Sequence, residues 1–276
     1  MGKMISKSSG ELEAFDINKF KKSLKKVGVK EELIEQLARE IEHRNDIKTT
    51  HDIYRFAFNK LKDITPGIAS RYNLKQALLE LGPAGYPFEK YISHLFAAQG
   101  FTTKIDQIIP GKCIEHEIDI LLSQEKANHG LVECKFHNSQ GIKTNVKVIL
   151  YIQARFDDIK EAWETNKKNH KIDYAWVVTN TKFTTQAIAY GECRKIRMLS
   201  WNYPSTLNLA NLIDRYGLHP VTALSSLTTR EKKFFLQSDL VLCKDIKNFE
   251  YLFSQLKLSK KKIEKIISES EAICSL

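Results

Sequence analysis

Two short runs bring acids and a lysine into segments that otherwise read as buried β-strands. They are "EHEIDILL", residues 115–122, and "LVECKFH", residues 131–137. Successive side chains of a strand point to opposite faces. Glu115, Glu117 and Asp119 therefore share one face of the first run, opposite His116, Ile118 and Ile120. In the second, Glu133, Lys135 and His137 share a face opposite Val132, Cys134 and Phe136. If the two runs are hairpin neighbours across the polar loop "QEKANHG", Asp119 and Glu133 approach one another. Two converging carboxylates invite a hard divalent cation. Mg²⁺ takes one or two carboxylates, keeps several waters and fills its other positions with phosphate oxygens, and Mn²⁺ is an equivalent choice. The carbonyl of Cys134 is a candidate third ligand. Lys135 would then orient a bound water and stabilise charge building on a phosphate, which implies in-line hydrolysis of a phosphodiester. The bland alternative is a solvated strand face with an ion pair between Glu133 and Lys135. An isolated acid-x-lysine decides nothing. The combination favours the site: an upstream acid on an adjacent strand, an apolar opposite face on both strands, and a helix before and after.

The elements that must position these residues can be read around them. "LGPAGYPFEKY" breaks a helical run and marks a boundary. A helix, "YPFEKYISHLFAAQG", then leads into three strands, "FTTKIDQII", "EHEIDILLS" and "HGLVECKFH". A long amphipathic helix over roughly 143–164 follows, then a strand "YAWVVTN", a helix "TTQAIAYGECRK" and a short strand "IRMLSW". The order α-β-β-β-α-β-α-β predicts a mixed sheet flanked by helices on both faces.

With these elements in place, "FEKYISHLF", "EHEIDIL" and "VECKFH" resemble the PD-(D/E)XK nuclease superfamily, in its Mrr-type restriction endonuclease branch. The resemblance covers about residues 84–205. It implies a restriction-endonuclease-like fold, DNA as substrate, Asp119 and Glu133 as metal ligands, and Lys135 as the residue that assists the water. It also draws in Gln153 of "VILYIQARFDD" as a glutamine near the site, and Glu89 of "PFEKY" as an acid on the first helix. "EHEID" departs from the glycine-flanked aspartate of many members. Glu117 reads equally as an acid behind the ligands or as hairpin surface, His137 as a phosphate contact or a solvated strand end, and Gln153, without the resemblance, as helix surface.

Residues 1–83 are mostly helical with a small β cap. "KMISKSSGELEAF" reads as a hairpin turning at "SSG", and "DINKFKKSLKKVG" as a helix capped by Asp16 and stopped by Gly28. A second helix covers "KEELIEQLAREIEHR", a third "THDIYRFAFNKLKDI" with Thr50 as its cap, and a fourth "PGIASRYNLKQALLEL" opened by Pro66. The run "ISKSSGELEAFDINKFKKSL" resembles the ATP-cone, a nucleotide-sensing domain, with Lys7, Gly10, Phe15, Asp16, Lys19 and Thr50 matching. Ser8 and Ser9 stand where that family has arginine and aspartate. The resemblance implies ATP or dATP as a regulatory ligand. Lys7 and Lys19 would hold its phosphates, helped by the helix start at Thr50. Equally, these lysines can be solvent-facing and the threonine only a cap.

Residues 206–276 read as helices without a strand, and Lys257, Lys260, Lys261, Lys262 and Lys265 gather at the start of the last one, after Ser259. This cluster suits a phosphate backbone or a solvated helix face. The expected architecture is thus a multidomain α+β/α/β chain. A helical ATP-cone-like domain (1–83) precedes a restriction-endonuclease-like mixed sheet flanked by helices (84–205), and a helical C-terminal region (206–276) follows.

The net charge of +10 is spread along the chain, with 16 basic and 12 acidic residues in 1–83, 16 and 13 in 84–205, and 11 and 8 in 206–276. That suits a protein tracking a polyanion over a wide surface rather than one with a basic tail. Five scattered cysteines, none spaced as CxxC, argue against a disulfide framework or a zinc knuckle and for a reduced compartment. No apolar run reaches membrane-spanning length and no apolar signal region follows the start, so a soluble cytoplasmic protein without a membrane partner is expected. Cutting two strands with one site per chain suggests a homodimer. The rival expectation is a non-catalytic, nucleotide-responsive DNA-binding regulator, which would leave the acid and lysine pattern unexplained.

Overall fold

The computed structural model describes residues 3–7, 10–124, 128–165 and 171–274. The chain divides into two compact units. One is Leu78–Pro220; the other joins Met1–Ala77 to Val221–Leu276. Residues 221–276 thus fold with the N-terminal helices.

In the discontinuous unit, β1 (Met4–Ser6) pairs antiparallel with β2 (Leu12–Ala14). The Ser8 and Ser9 of the expected turn lie outside the described residues. Helices α1 (Ile17–Lys26), α2 (Glu31–Glu42) and α3 (Thr50–Ile64) follow. Asp16 caps α1 as expected, accepting from the N–H of Asn18 and Lys19, and Gly28 ends the segment with φ +87°. The cap of α3 differs from the expectation. Thr49, not Thr50, accepts from the N–H of Asp52, and Asp52 accepts in return from the N–H of Thr49. Thr49 has extended backbone, so its hydroxyl can turn onto the first turn, whereas Thr50 is already helical. The expected fourth helix is split into α4 (Pro66–Tyr72) and α5 (Leu74–Leu79) at buried Asn73, whose side-chain oxygen accepts from the hydroxyl of Tyr54. Phe20, Leu24, Ile34, Leu37, Ile41 and Leu61 form the core of these helices.

Helices α10 (Thr229–Gln237), α11 (Tyr251–Gln255) and α12 (Lys260–Cys274) complete this unit, with 3-10 turns at Val221–Ala223 and Cys243–Phe249. Buried Glu269 of α12 accepts from the Ser70 hydroxyl at 2.7 Å and from the N–H of Ser225 and Ser226 at 2.7 and 2.9 Å. These donors hold its carboxyl below the usual range against the opposing effect of burial.

The central unit holds a five-stranded sheet in the order β3-β4-β5-β7-β9. Its members are β3 (Thr102–Pro110), β4 (Glu115–Gln124), β5 (Asn128–Lys135), β7 (Lys171–Thr179) and β9 (Arg197–Leu199). β3, β4 and β5 are antiparallel, while β7 runs parallel to both β5 and β9, so the sheet is mixed as expected. Strand pairing extends to Gln124 and Asn128, which shortens the expected connecting loop. α6 (Tyr86–Ala97) buries Phe88, Tyr91, Ile92, Leu95 and Phe96. Each such side chain contributes about 1.5–3 kcal/mol when removed from water. α7 (Val146–Thr165) covers Ile118, Leu131 and Val177 of the sheet through Ile149, Ile152 and Ile159. It starts later than expected because Lys143–Thr144 form a short strand, β6, parallel to β8 (Lys182–Phe183), and Asn145 accepts from the N–H of Lys147. α8 (Thr185–Cys193) and α9 (Leu209–Tyr216) close the unit. No helix among the described residues is long and apolar enough to cross a membrane.

Candidate active site

β4 and β5 pair as far as Ile120 opposite Val132. One step further, the Asp119 carboxylate replaces the ladder: Oδ2 accepts from the backbone N–H of Cys134 at 2.6 Å. The next side chain along β5 from Cys134 is Lys135, exposed and in register with Thr179 of β7. Glu133 is half-buried, and its Oε2 lies 2.8 Å from Nη1 of Arg155 on α7.

Asp119 is pushed up to about 7, first by burial and then by the charge of Glu133; the N–H of Cys134 opposes this and Glu89 adds to it. Such a shift states that negative charge is crowded here and only partly compensated. Glu89, in the first turn of α6, is raised by burial and by Asp106, Glu133 and Glu117, so these acids lie in one field. The buried Cys134 thiol is raised by burial and by Asp119, Glu89 and Glu133, which keeps it an inert core group.

Two expected members are engaged elsewhere. Gln153 is buried and its Nε2 donates to Asp157, one turn further along α7, at 2.8 Å, so its hydrogen bond follows the helix rather than reaching Asp119 or Glu133. The ring of His137 meets the Thr144 hydroxyl at 3.0 Å. Its backbone N–H donates to Asn180, which donates back to its carbonyl. Thr144, Thr179 and Thr181 continue this hydroxyl chain. A strand end expected to be solvated or phosphate-facing is thus a latch between β5 and the β6–β8 pair. Burial and then Lys135 lower its pKa.

Sequence reading missed two groups. Asp106 lies opposite Asp119, bracketed by the pairs Ile105–Ile120 and Gln107–Ile118, and takes φ +54°, uncommon for a residue with a side chain. An aspartate in mid-strand was the available signal, since Asp is depleted in strands. Arg155 was signalled by a cation between Ile152, Phe156 and Ile159 on the packed face of α7.

In the discontinuous unit, Lys7 is engaged by Glu11 at 3.2 Å and Glu13 at 2.8 Å, and exposed Lys19 lies 3.8 Å from Asp16. A cleft of about 270 Å³ is lined by Arg44, Asp52, Arg55, Phe56, Lys60 and Asp63, among others; Lys7, Lys19 and Thr50 do not line it. Of the basic cluster on α12, Lys262 is taken by Glu231 at 2.7 Å, whereas Lys257, Lys260, Lys261 and Lys265 are exposed.

Comparison with known proteins gives two family matches: a restriction endonuclease catalytic domain of Mrr type over residues 83–202, and an AF1548-like C-terminal domain over residues 219–274. Neither reaches residues 1–82. An uncharacterized protein of Archaeoglobus fulgidus is 31% identical over 183 residues, which is 66% of this chain and 99% of that protein. A crystal structure of a protein of unknown function, AF1548, has 29% identity and a TM-score of 0.56, covering 70% of this chain and 99% of that one.

Proposed function

We propose that this chain, which belongs to the family of that Archaeoglobus fulgidus protein and carries the Mrr-type and AF1548-like domains, is a Mg²⁺-dependent endonuclease that hydrolyses DNA phosphodiester bonds in restriction or defence. The observation that carries this reading is the meeting of Asp119 with the strand bearing Glu133 and Lys135, at the point where β4 stops pairing with β5.

The donor set fits a hard cation. Among the described residues no three His, Cys, Asp or Glu side chains form a cage for a metal. An ion here would rest on Asp119 and Glu133, with the Cys134 carbonyl as a further ligand, and keep water in its other positions, as Mg²⁺ and Mn²⁺ do. When bound, such an ion polarises the phosphate and makes its water more acidic. Lys135, exposed beside Glu133, directs the attacking water and neutralises charge on the phosphoryl oxygens. Glu89 and Glu117 keep the field negative, and Gln153 acts through α7 rather than on substrate.

The test is Mg²⁺-dependent nicking of plasmid DNA by the full chain, compared with Asp119→Asn, Glu133→Gln and Lys135→Ala. Metal-independent nicking, or full activity in all three, would sink the assignment. The second reading, a non-catalytic DNA-binding regulator, is favoured by the Arg155–Glu133 pair, because an acid already compensated needs no metal. It predicts duplex binding without any cleavage.

The N-terminal helices bind ATP or dATP in this reading. The β1–β2 pair ahead of a helical bundle supports it, with Lys7 following β1. Phosphate would have to displace Glu11 and Glu13 from Lys7 and Asp16 from Lys19. Calorimetric titration with ATP, with Lys19→Ala as control, tests it.

A further inference from the structure

Arg155 is a part-buried cation of the central unit that pairs with a candidate metal ligand. Its side chain is 12% exposed and its ion-pair partner, Glu133, 19%. Nη1 donates to Glu133 at 2.8 Å and Nη2 donates to the hydroxyl of Tyr151. Its guanidinium carbon lies 4.6 Å from the centre of the ring of Tyr151, a residue that is 56% exposed. Nε is buried and has no hydrogen-bond partner among the described residues. A guanidinium has five donors, and leaving one buried without a partner carries a cost. One end of this arginine thus sits on a candidate metal ligand, and its guanidinium lies over the ring of an exposed tyrosine.

We propose that Arg155 stands in for the divalent cation: it neutralises Glu133 in the metal-free protein and, displaced when a cation takes that carboxylate, turns along the Tyr151 ring to a phosphate of the DNA backbone. This rests on the nuclease reading above. The physical reason is charge balance. Asp119, Glu133, Glu89 and Glu117 share one field, and Arg155 lowers it in the absence of metal. A bound cation makes the arginine surplus there, while an arriving phosphate supplies a bidentate partner for it. Stacking on Tyr151 preserves a favourable contact during the turn.

The experiment measures binding rather than turnover. Mg²⁺ is titrated calorimetrically into the full-length protein and into Arg155→Ala, Arg155→Gln, Tyr151→Ala and Glu133→Gln, each checked for a cooperative melt. Affinity for a short duplex is then measured over a series of salt concentrations with Ca²⁺ present. Loss of the competing cation should tighten Mg²⁺ binding by roughly fivefold in both Arg155 variants, the scale of a modest ion pair. Their salt slope for DNA should fall by about one phosphate contact. Tyr151→Ala should leave Mg²⁺ affinity unchanged but lose part of the DNA contribution. Unchanged or weaker Mg²⁺ binding in whichever Arg155 variant folds, or an unchanged salt slope, overturns the proposal. Undiminished Mg²⁺ affinity in Glu133→Gln would instead overturn the nuclease reading beneath it.

Discussion

The backbone N–H of Cys134 donates to Asp119 Oδ2 at 2.6 Å, so the upstream acid is fixed to the middle of the Glu133-Cys134-Lys135 run itself. Any shift of β5 along β4 would break this bond and part the two acids at once.

Asp119→Asn should remove Mg²⁺-dependent cleavage, because an amide is a poor ligand for a hard cation. It should also stabilise the metal-free protein at alkaline pH. The folded state raises Asp119 from 3.8 to about 7. Between these values the folded protein keeps a proton that the unfolded chain has lost, so this group's contribution falls as pH rises through the window and is lowest above it. Melting in chelator should be higher for the variant at pH 8 and similar at pH 4.

Mg²⁺ affinity should fall about tenfold from pH 8 to pH 6, as a proton competes for Asp119 below about 7. Calorimetry at the two values checks this. A flat profile would mean that Asp119 does not bind the ion.

Lys135→Ala should abolish cleavage while leaving the melt and duplex affinity nearly intact, since the side chain is exposed and packs in no core. The expected loss is on the order of 10²-fold or more, as for removal of one preorganised charge-stabilising donor. Gel-based nicking and anisotropy separate the two effects.

Gly130→Ala tests the frame rather than the chemistry. A Cβ there would lie 2.0 Å from Cε2 of Tyr174 on the neighbouring strand, where the β5–β7 register already shifts. Overpacking of this kind costs about 1–3 kcal/mol. Reduced stability should accompany reduced activity, although no acid is altered; an unchanged melt would show that β7 yields without loss.

ATP and DNA should change each other's affinity by the same factor, because coupling free energies are reciprocal. Lys19→Ala should weaken ATP binding and remove the coupling while leaving basal nicking intact. Equal ATP affinities with and without bound duplex would reduce the N-terminal helices to a structural role.

Much of the central sheet was legible because period-two alternation and breaks at Gly and Pro are local signals. Alternation put Asp119 on one strand face and Glu133 with Lys135 on another; it took the upstream acid, the flanking helices and the family resemblance to single them out as a candidate site. Arg155 was not legible in this way, since its importance comes from reaching a strand 22 residues earlier across the α7–sheet interface. Asp106 was hidden for another reason: its left-handed backbone departs from the strand geometry that alternation assumes. Thr49 and Thr50 are equivalent as residue types, and only backbone conformation chooses the cap. The folding of α12 with the N-terminal helices is a contact between Ser70 and Glu269 that no periodicity announces.

That contact has a consequence for synthesis. The central sheet is encoded between two halves of the other unit and depends on neither for its own strand pairing. It can emerge and fold on the ribosome while Ser70 still waits for Glu269. A nascent chain interrupted before α12 would therefore carry a finished sheet, with the Ser70 hydroxyl and the N–H groups of Ser225 and Ser226 without their acceptor, a state suited to recognition by chaperones and proteases.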